Sequence, residues 1–163
     1  VTTHESAIRI ISKVGELANP ADRDHCLQYM VAVPLAFGDL TAEHYEDDFH
    51  RAHPVIDLLR DKMEIVEDER YSLEYHQADK RSIANAIQVF FNDGTHTDRV
   101  AVEYPLGHRR RREEGIPLLK EKFRRNLATR FPAQRCERIL ALYEDVARLE
   151  SMPVDTFLEH WTI

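Results

Sequence analysis

The sequence predicts an α+β protein, in which a small antiparallel sheet with a central hairpin packs against helices and a helical tail follows. Apolar residues alternate on both sides of the pair Asp93-Gly94, and this pattern is typical of a hairpin with a tight turn. The flanking segments instead place apolar residues at helical spacing, as in Val55, Leu58 and Leu59. Because the strands and helices do not alternate as βαβ units, the pattern favours the α+β class.

The first elements are predicted from turn and cap residues. Residues 4–12 (HESAIRIIS) are rich in β-branched side chains and predict a strand. Asn19 suits a helix N-cap and Pro20 suits the first helical position, so a long helix is expected to begin there. Pro34 is expected to kink or end this helix, and Gly38 closes the segment.

The remaining elements follow the same signals. Thr41 is expected to cap a short helix, and the segment 53–63 (HPVIDLLRDKM) predicts a second one. After the hairpin, a loop bounded by Gly107 and Gly115 precedes a helix that we expect to begin at Pro117 and end near Arg130. The chain then predicts a helix in the segment 132–150 and a short last helix after Met152-Pro153. We expect two parts, an α+β substrate domain at 1–132 and a helical tail at 133–163.

Charge and composition exclude several classes of protein. The 163 residues carry a formal net charge of −7, which disfavours nucleic acid as a partner because phosphate binding requires a basic surface. No run of about 18 apolar residues occurs, so no membrane span is expected. Two distant cysteines, Cys26 and Cys136, make neither a disulfide framework nor a zinc ligand set, and we expect a reducing compartment, the cytoplasm. Val1 is not a methionine and no signal peptide pattern follows it, so we expect a piece of a longer protein.

The segment 21–30 (ADRDHCLQYM) places an acid, an imidazole and a phenol on one predicted helical stripe. On a continuous helix, Asp22, His25 and Tyr29 point to the same side. Such a set can supply an orienting carboxylate, a general base and a general acid. The alternative is surface decoration, in which Asp22 stabilises the helix amino terminus through the helix dipole and His25 is simply exposed.

Two further clusters have a functional and a structural interpretation. His44, His50 and His53 lie among acidic residues and could bind a metal, although their spacing matches no zinc pattern and a solvated acidic turn explains it equally. The segment 107–115 (GHRRRREEG) contains His108 and the four arginines Arg109, Arg110, Arg111 and Arg112. These arginines could bind carboxylates by bidentate hydrogen bonds, or form a solvated loop. The glutamates that follow them argue against nucleic acid. We expect no metal and no cofactor.

Four segments in order resemble the carboxy-terminal part of the MmgE/PrpD family over nearly the whole chain. They are NPADRDHCLQYMVAVPL, DKRSIANAIQVFFNDGT, VEYPLGHRRRREEGIP and MPVDTFL. The resemblance implies a larger protein with an amino-terminal helical domain, on which the tail at 133–163 packs, and an active site between the two domains. It also implies a homodimer.

The same resemblance implies a reaction, the loss of water from 2-methylcitrate to give 2-methyl-cis-aconitate in the methylcitrate cycle, without an iron–sulfur cluster. Decarboxylase members of the family place a tyrosine on the helix that HCLQYM resembles, which corresponds to Tyr29 here, and His25 matches a histidine of the same motif. The principal base and a substrate-binding lysine would lie in the helical domain. Two alternatives stay open: another isomerase or decarboxylase of this family, and a binding module without chemistry.

Overall fold

The computed structural model describes residues 1–162, which form two compact units. The first unit covers Val1–Pro105 and the second begins at Leu106. The predicted α+β class is confirmed, because a four-stranded sheet accompanies the helices. The predicted division after residue 132 falls inside the second unit, between two helices that contact each other. Within residues 1–162, no helix is both long enough and apolar enough to cross a membrane.

The sheet lies in the first unit and is mixed rather than wholly antiparallel. Its strands are β1 (Thr2–Thr3), β2 (Val66–Glu67), β3 (Asn85–Ile87) and β4 (Val100–Val102), in the spatial order β2-β1-β3-β4. The β1–β3 and β3–β4 pairs are antiparallel, but β1 and β2 run parallel with Thr2 opposite Val66. The prediction of an antiparallel sheet is wrong at this pair, because a long helical segment separates the two strands and allows a parallel crossover.

The helices of the first unit lie between β1 and β3 in the sequence. They are α1 (Glu5–Ile11), α2 (Pro20–Asp24), α3 (Leu27–Phe37), α4 (Asp47–Ala52), α5 (Val55–Arg60) and α6 (Glu69–His76), with a 3₁₀ turn at Ala42–Tyr45. A core of buried side chains joins α3 to α5. It consists of Leu17, Cys26, Tyr29, Ala32, Val33 and Ile56.

The strand predicted at residues 4–12 is a helix instead, namely α1. His4 caps it, since the Nδ1 atom of His4 accepts a hydrogen bond of 3.2 Å from the Ala7 amide. The β-branched isoleucines of this segment lower helix propensity only slightly, and packing against α6 outweighs that preference. The prediction was therefore wrong, because the His4 cap and the contacts with α6 favour a helix in a segment whose sequence pattern fits either a helix or a strand.

The His4 cap predicts that this protein loses stability in mild acid. Burial, followed by the nearby His76, lowers the pKa of His4 below its ordinary value of 6.5. The unfolded chain then binds more protons than the folded one, so the contribution of His4 is complete above pH 6.5 and is lost as the pH falls below it. Protonation of Nδ1 would also remove the acceptor for Ala7.

We expect His4→Asn, which keeps a capping acceptor without an imidazole, to reduce the acid sensitivity measured by urea unfolding across pH 6.5. His25→Asn is the matched control, because it makes the same substitution at an exposed side chain away from the cap of α1. Equal acid sensitivity in wild type and His4→Asn would contradict the assignment.

The long helix predicted from residue 19 is interrupted. Its start is confirmed, since the Asn19 side chain accepts from the Asp22 amide at 3.0 Å and Pro20 occupies the first position. The helix α2 ends at Asp24, α3 begins at Leu27, and Pro34 lies inside α3 rather than ending it. Gly38 closes α3 with a φ of +84°, a conformation that favours glycine.

The break between α2 and α3 changes where two side chains point. On one straight helix, Arg23 and Tyr29 would lie roughly 120° apart around the axis. In the structure both contact the same two residues, Tyr45 and His50. A continuous helix would separate these contacts, so the interruption is what brings Arg23 and Tyr29 into one cluster.

The predicted hairpin is confirmed, with a slightly longer turn than Asp93-Gly94 alone. The Phe91 carbonyl accepts from the Gly94 amide at 3.1 Å, and the Phe91 amide donates to the Thr95 carbonyl at 2.8 Å. Gly94 has a φ of +85°, which a residue with a Cβ adopts only with strain. The regular strands are short, and Phe90 and Phe91 near the tip are exposed.

The second unit is helical and begins with a 3₁₀ turn at Arg109–Arg111. Its helices are α7 (Arg112–Ala128), α8 (Ala133–Leu142), α9 (Val146–Ser151) and α10 (Val154–Glu159). The helix α7 begins before the predicted start at Pro117, which lies inside it, and the helix predicted at 132–150 is divided into α8 and α9. Leu127, Cys136 and Ile139 form the core of this unit.

Gly115 is the one glycine of the chain with no room for a side chain. A Cβ at this position of α7 would overlap the backbone carbonyl oxygen of Leu106, which a side-chain rotation cannot relieve. Replacing glycine by alanine inside a helix normally stabilises by up to about 1 kcal/mol. Here we expect Gly115→Ala to destabilise the protein by about 1–3 kcal/mol, because backbone must shift.

Chemical denaturation of Gly115→Ala and Gly107→Ala measures this difference. Gly107 is the control, since a Cβ there meets nothing within 4 Å and its φ is not in the left-handed region. A Gly115→Ala protein as stable as wild type would show that the Leu106 segment moves at little cost.

Candidate functional site

The three residues of the predicted stripe do not converge in the structure. The Asp22 carboxylate accepts from the Ala18 amide and the Asn19 side chain, both at 3.1 Å, and lies 3.5 Å from the Lys13 ammonium. These contacts fix the turn that leads into α2. Asp22 therefore does not orient the His25 imidazole, because the break after Asp24 removes the helical register on which that prediction depended.

His25 lies at the carboxy-terminal end of α2, where it is the C-cap residue. Its Nδ1 atom is 2.5 Å from a carboxylate oxygen of the preceding Asp24, and both side chains are about half or more exposed. The described contacts of residues 1–162 give it no link to Tyr29. His25 thus reaches solvent on the surface of the first unit.

Tyr29 is fully buried in the core between α3 and α5. Its hydroxyl donates a hydrogen bond of 2.6 Å to the backbone carbonyl of His44 in the 3₁₀ turn. Burial raises the pKa of this hydroxyl to about 12. The phenol is therefore protonated at neutral pH, where it can donate a hydrogen bond or a proton.

A buried arginine is hydrogen-bonded to the same 3₁₀ turn as Tyr29. Arg23 is only 2% exposed, and its Nε donates to the Tyr45 carbonyl at 2.7 Å while one terminal nitrogen donates to the Leu17 carbonyl at 3.3 Å. The other terminal nitrogen pairs with the Asp47 carboxylate. Sequence analysis missed Arg23, which stands inside the segment ADRDHCLQYM. The acidic residues at 46–48 were the signal in the sequence that could have indicated a cationic partner for this turn.

His50 continues this polar network towards α5. Its Nδ1 lies 3.4 Å from a terminal nitrogen of Arg23, and its Nε2 lies 2.9 Å from Asp57, which also pairs with Arg60. Because a guanidinium only donates, these two contacts fit the His50 tautomer that has the lone pair on Nδ1 and donates the Nε2 hydrogen to Asp57. The ring of His50 meets the Tyr29 ring edge-on with centroids 5.4 Å apart.

The histidines that could have formed a metal site have other partners. His44 Nδ1 accepts from the Thr41 amide at 2.9 Å, and His53 Nδ1 donates to the Phe49 carbonyl at 2.7 Å. Both rings pack on Phe49, with centroids 4.6 Å and 4.2 Å away. In the described part of the chain, no three histidine, cysteine or acidic side chains are grouped as a metal site requires. The expectation that no metal is bound stays a prediction.

The predicted arginine cluster lies in the second unit, partly in a 3₁₀ turn and partly in α7. His108 caps the turn, because its Nδ1 accepts from the Arg110 amide at 3.2 Å. Arg111 pairs with Glu114 at 2.7 Å, and this pairing raises the pKa of Arg111 and lowers that of Glu114. Arg109, Arg110 and Arg112 are exposed. Their role in binding carboxylates stays a prediction.

The first unit also carries an apolar groove of about 590 Å³. Its walls come from α3, α5 and the strand β3 with the residues that follow it, and they include Leu35, Met63 and Phe90. Leu35 and Phe90 are more than half exposed, so this face is open to solvent in the described chain. Lys62 and Arg99 contribute cationic groups to its lining.

These features define an α+β domain in which a buried arginine and a buried tyrosine are both hydrogen-bonded to one 3₁₀ turn. The sequence matches the model of the MmgE/PrpD C-terminal domain over residues 1–147. The chain belongs to the MmgE/PrpD family, as its four sequence segments predict.

Three similar proteins are named 2-methylcitrate dehydratase. The chain is 59% identical to the 2-methylcitrate dehydratase of Cupriavidus necator and 53% identical to that of Escherichia coli strain K12, over all 163 residues in each case. It is 52% identical over 160 residues to the mitochondrial 2-methylcitrate dehydratase of Yarrowia lipolytica. The chain spans 34% of the two bacterial proteins and 30% of the yeast protein, so it corresponds to about one third of each.

Proposed function

We propose that this chain is the carboxy-terminal part of a 2-methylcitrate dehydratase, a hydro-lyase that converts 2-methylcitrate into 2-methyl-cis-aconitate in the methylcitrate cycle of propionate catabolism. The observation that carries the proposal is full-chain identity of 53–59% to bacterial proteins of that name. Elimination removes a proton from a carbon beside a carboxylate and expels the hydroxyl of the neighbouring carbon. The enzyme must therefore supply a base, an acid and partners for three carboxylates.

Tyr29 is the proposed acid of this chain. At neutral pH its hydroxyl is protonated, which is the form that can donate to a departing hydroxyl group. In the isolated chain the His44 carbonyl accepts this hydrogen, so substrate must replace that acceptor during the reaction. The principal base belongs, in this proposal, to the amino-terminal helical domain.

The other predicted residues enter the proposal with separate roles. His25 is exposed and can exchange protons with a group outside the first unit. Asp22 supports the turn before α2, which carries His25 at its end. The cationic segment Arg109–Arg112, with His108 as its cap, is proposed to bind substrate carboxylates, because guanidinium groups pair with carboxylates in bidentate geometry.

We further propose the setting in which this chain works. The tail at 133–163 packs on the amino-terminal helical domain, the complete enzyme is a cytoplasmic homodimer, and the reaction uses neither a metal nor an iron–sulfur cluster. The second unit exposes several large apolar side chains that a neighbouring domain would cover. Among them are Leu118, Leu119, Val146, Val154 and Leu158.

The test is a steady-state assay of the complete protein that contains this chain, purified without added iron. We expect dehydration of 2-methylcitrate, followed by the absorbance of the conjugated product, and no loss after treatment with a chelator. Turnover of another polycarboxylate with none of 2-methylcitrate would assign a different reaction of the family. A complete protein that turns over no polycarboxylate would support the non-catalytic alternative.

A further inference from the structure

We propose that Arg23 is the positioning residue of the Tyr29 hydroxyl, and that it holds the 3₁₀ turn and the two rings around this hydroxyl in the arrangement from which its hydrogen passes from the His44 carbonyl to the substrate. This inference deepens the proposed function and rests on it, because it assumes that Tyr29 takes part in the reaction.

The first step of the argument is the path from Arg23 to the acceptor. Tyr29 donates to the His44 carbonyl at 2.6 Å, and Arg23 donates to the next carbonyl along the chain, that of Tyr45, at 2.7 Å. Two consecutive carbonyls of the turn are therefore held by these two side chains. A shift of the turn at Tyr45 would move the acceptor of the Tyr29 hydrogen with it.

The second step concerns the aromatic rings around Tyr29. The Tyr45 ring stacks on Tyr29 with centroids 6.0 Å apart, and the His50 ring meets it edge-on. Arg23 contacts both neighbours, through the Tyr45 backbone and through the Nδ1 atom of His50 at 3.4 Å. The same guanidinium thus restrains the turn that accepts from the Tyr29 hydroxyl and the two residues, Tyr45 and His50, whose rings pack on the Tyr29 ring.

The third step is the cost of burying the charge. An arginine at 2% exposure is stable only when its donors are satisfied, and here Leu17, Tyr45, His50 and Asp47 provide the acceptors. A lysine keeps the charge but cannot reproduce this planar set of directions. Arg23→Lys therefore tests geometry while the sign of the charge is kept.

The experiment is a double-mutant cycle in the complete enzyme, with Arg23→Lys, Tyr29→Phe and the double variant assayed for kcat and KM. Misplacement of a reacting group by about 1 Å can lower the rate by up to roughly 100-fold, so we expect Arg23→Lys to lower kcat by at least about 10-fold with little change in KM. In the Tyr29→Phe enzyme the same substitution should change kcat by less than about twofold, because the hydroxyl that Arg23 positions is gone.

Arg51→Lys is the matched control. Arg51 lies on α4, both it and its partner Asp48 are exposed, and their pairing at 2.7 Å holds none of the groups around Tyr29. We expect wild-type kcat for this variant in both backgrounds. An Arg23→Lys loss of the same factor with and without the Tyr29 hydroxyl would overturn the proposal, because it would show that Arg23 acts independently of Tyr29.

A second variant keeps the test decisive if Arg23→Lys does not fold. Asp47→Asn weakens only one contact of Arg23, and the Asp47 side chain is more than half exposed. We expect a smaller loss of kcat that again disappears in the Tyr29→Phe enzyme, and an unchanged kcat would overturn the proposal. If the wild-type enzyme does not dehydrate 2-methylcitrate, the proposed function is wrong. If the enzyme is active but the effects of the Arg23 and Tyr29 substitutions on kcat are independent, only the positioning role of Arg23 is wrong.

Discussion

Tyr29→Phe in the complete enzyme is expected to lower kcat by roughly 100-fold or more, the usual contribution of a positioned acid or base. The substitution keeps the buried ring and removes only the hydroxyl, whose raised pKa of about 12 holds it in the donating form. KM should change little, since other groups bind the substrate carboxylates in the ground state. Steady-state kinetics with 2-methylcitrate measures both constants.

The fold of this variant needs its own measurement. Removing the hydroxyl leaves the His44 carbonyl without the hydrogen bond it accepts, which costs about 0.5–1.5 kcal/mol. A thermal melt should therefore show a modest decrease in Tm and a cooperative transition. Tyr143→Phe is the control for losing a phenol hydroxyl, because Tyr143 lies on the surface of the second unit. Wild-type turnover by Tyr29→Phe would make the hydroxyl a purely structural group.

The isolated 163-residue chain is expected to have no dehydratase activity. It corresponds to about one third of the similar bacterial enzymes, and in the proposed function the principal base and a substrate-binding lysine lie in the other two thirds. Removing members of a catalytic unit loses nearly all of its rate. The buried Tyr29 in this chain is consistent with that expectation, because its hydroxyl is already bonded to a backbone carbonyl.

Purified chain and complete enzyme assayed at equal molar concentration provide the comparison. Circular dichroism and a cooperative thermal melt must first establish that the isolated chain is folded, so that a lack of activity is not a lack of structure. Measurable dehydration of 2-methylcitrate by the folded chain would contradict the prediction and would place a complete active site within it.

Local signals in the sequence were sufficient where the structure depends on neighbouring residues. The start of α2 at Asn19-Pro20 and the turn at Gly94 were predicted correctly, because a cap and a left-handed glycine act within a few residues. The α+β class followed from the change of apolar period along the chain. Membership of the MmgE/PrpD family also followed from short segments that occur in a fixed order.

Elements that depend on distant partners were not predictable in this way. The segment 4–12 forms the helix α1, which packs against the distant α6, and β1 pairs in parallel with β2, which lies far along the chain. The intrinsic preference of a short segment for helix or for strand is smaller than the free energy gained from such packing. No local pattern therefore decides between the two outcomes.

The candidate site shows the same division. The sequence by itself predicted Tyr29 as a candidate acid, through the motif that resembles the family, and placed charged residues beside it. Only the tertiary structure decided that His25 lies on the surface, that Asp22 serves a turn and that Arg23 is buried beside Tyr45. The physical reason is the break between α2 and α3, where the burial of one guanidinium and one phenol in a common cluster outweighed the continuity of a single helix.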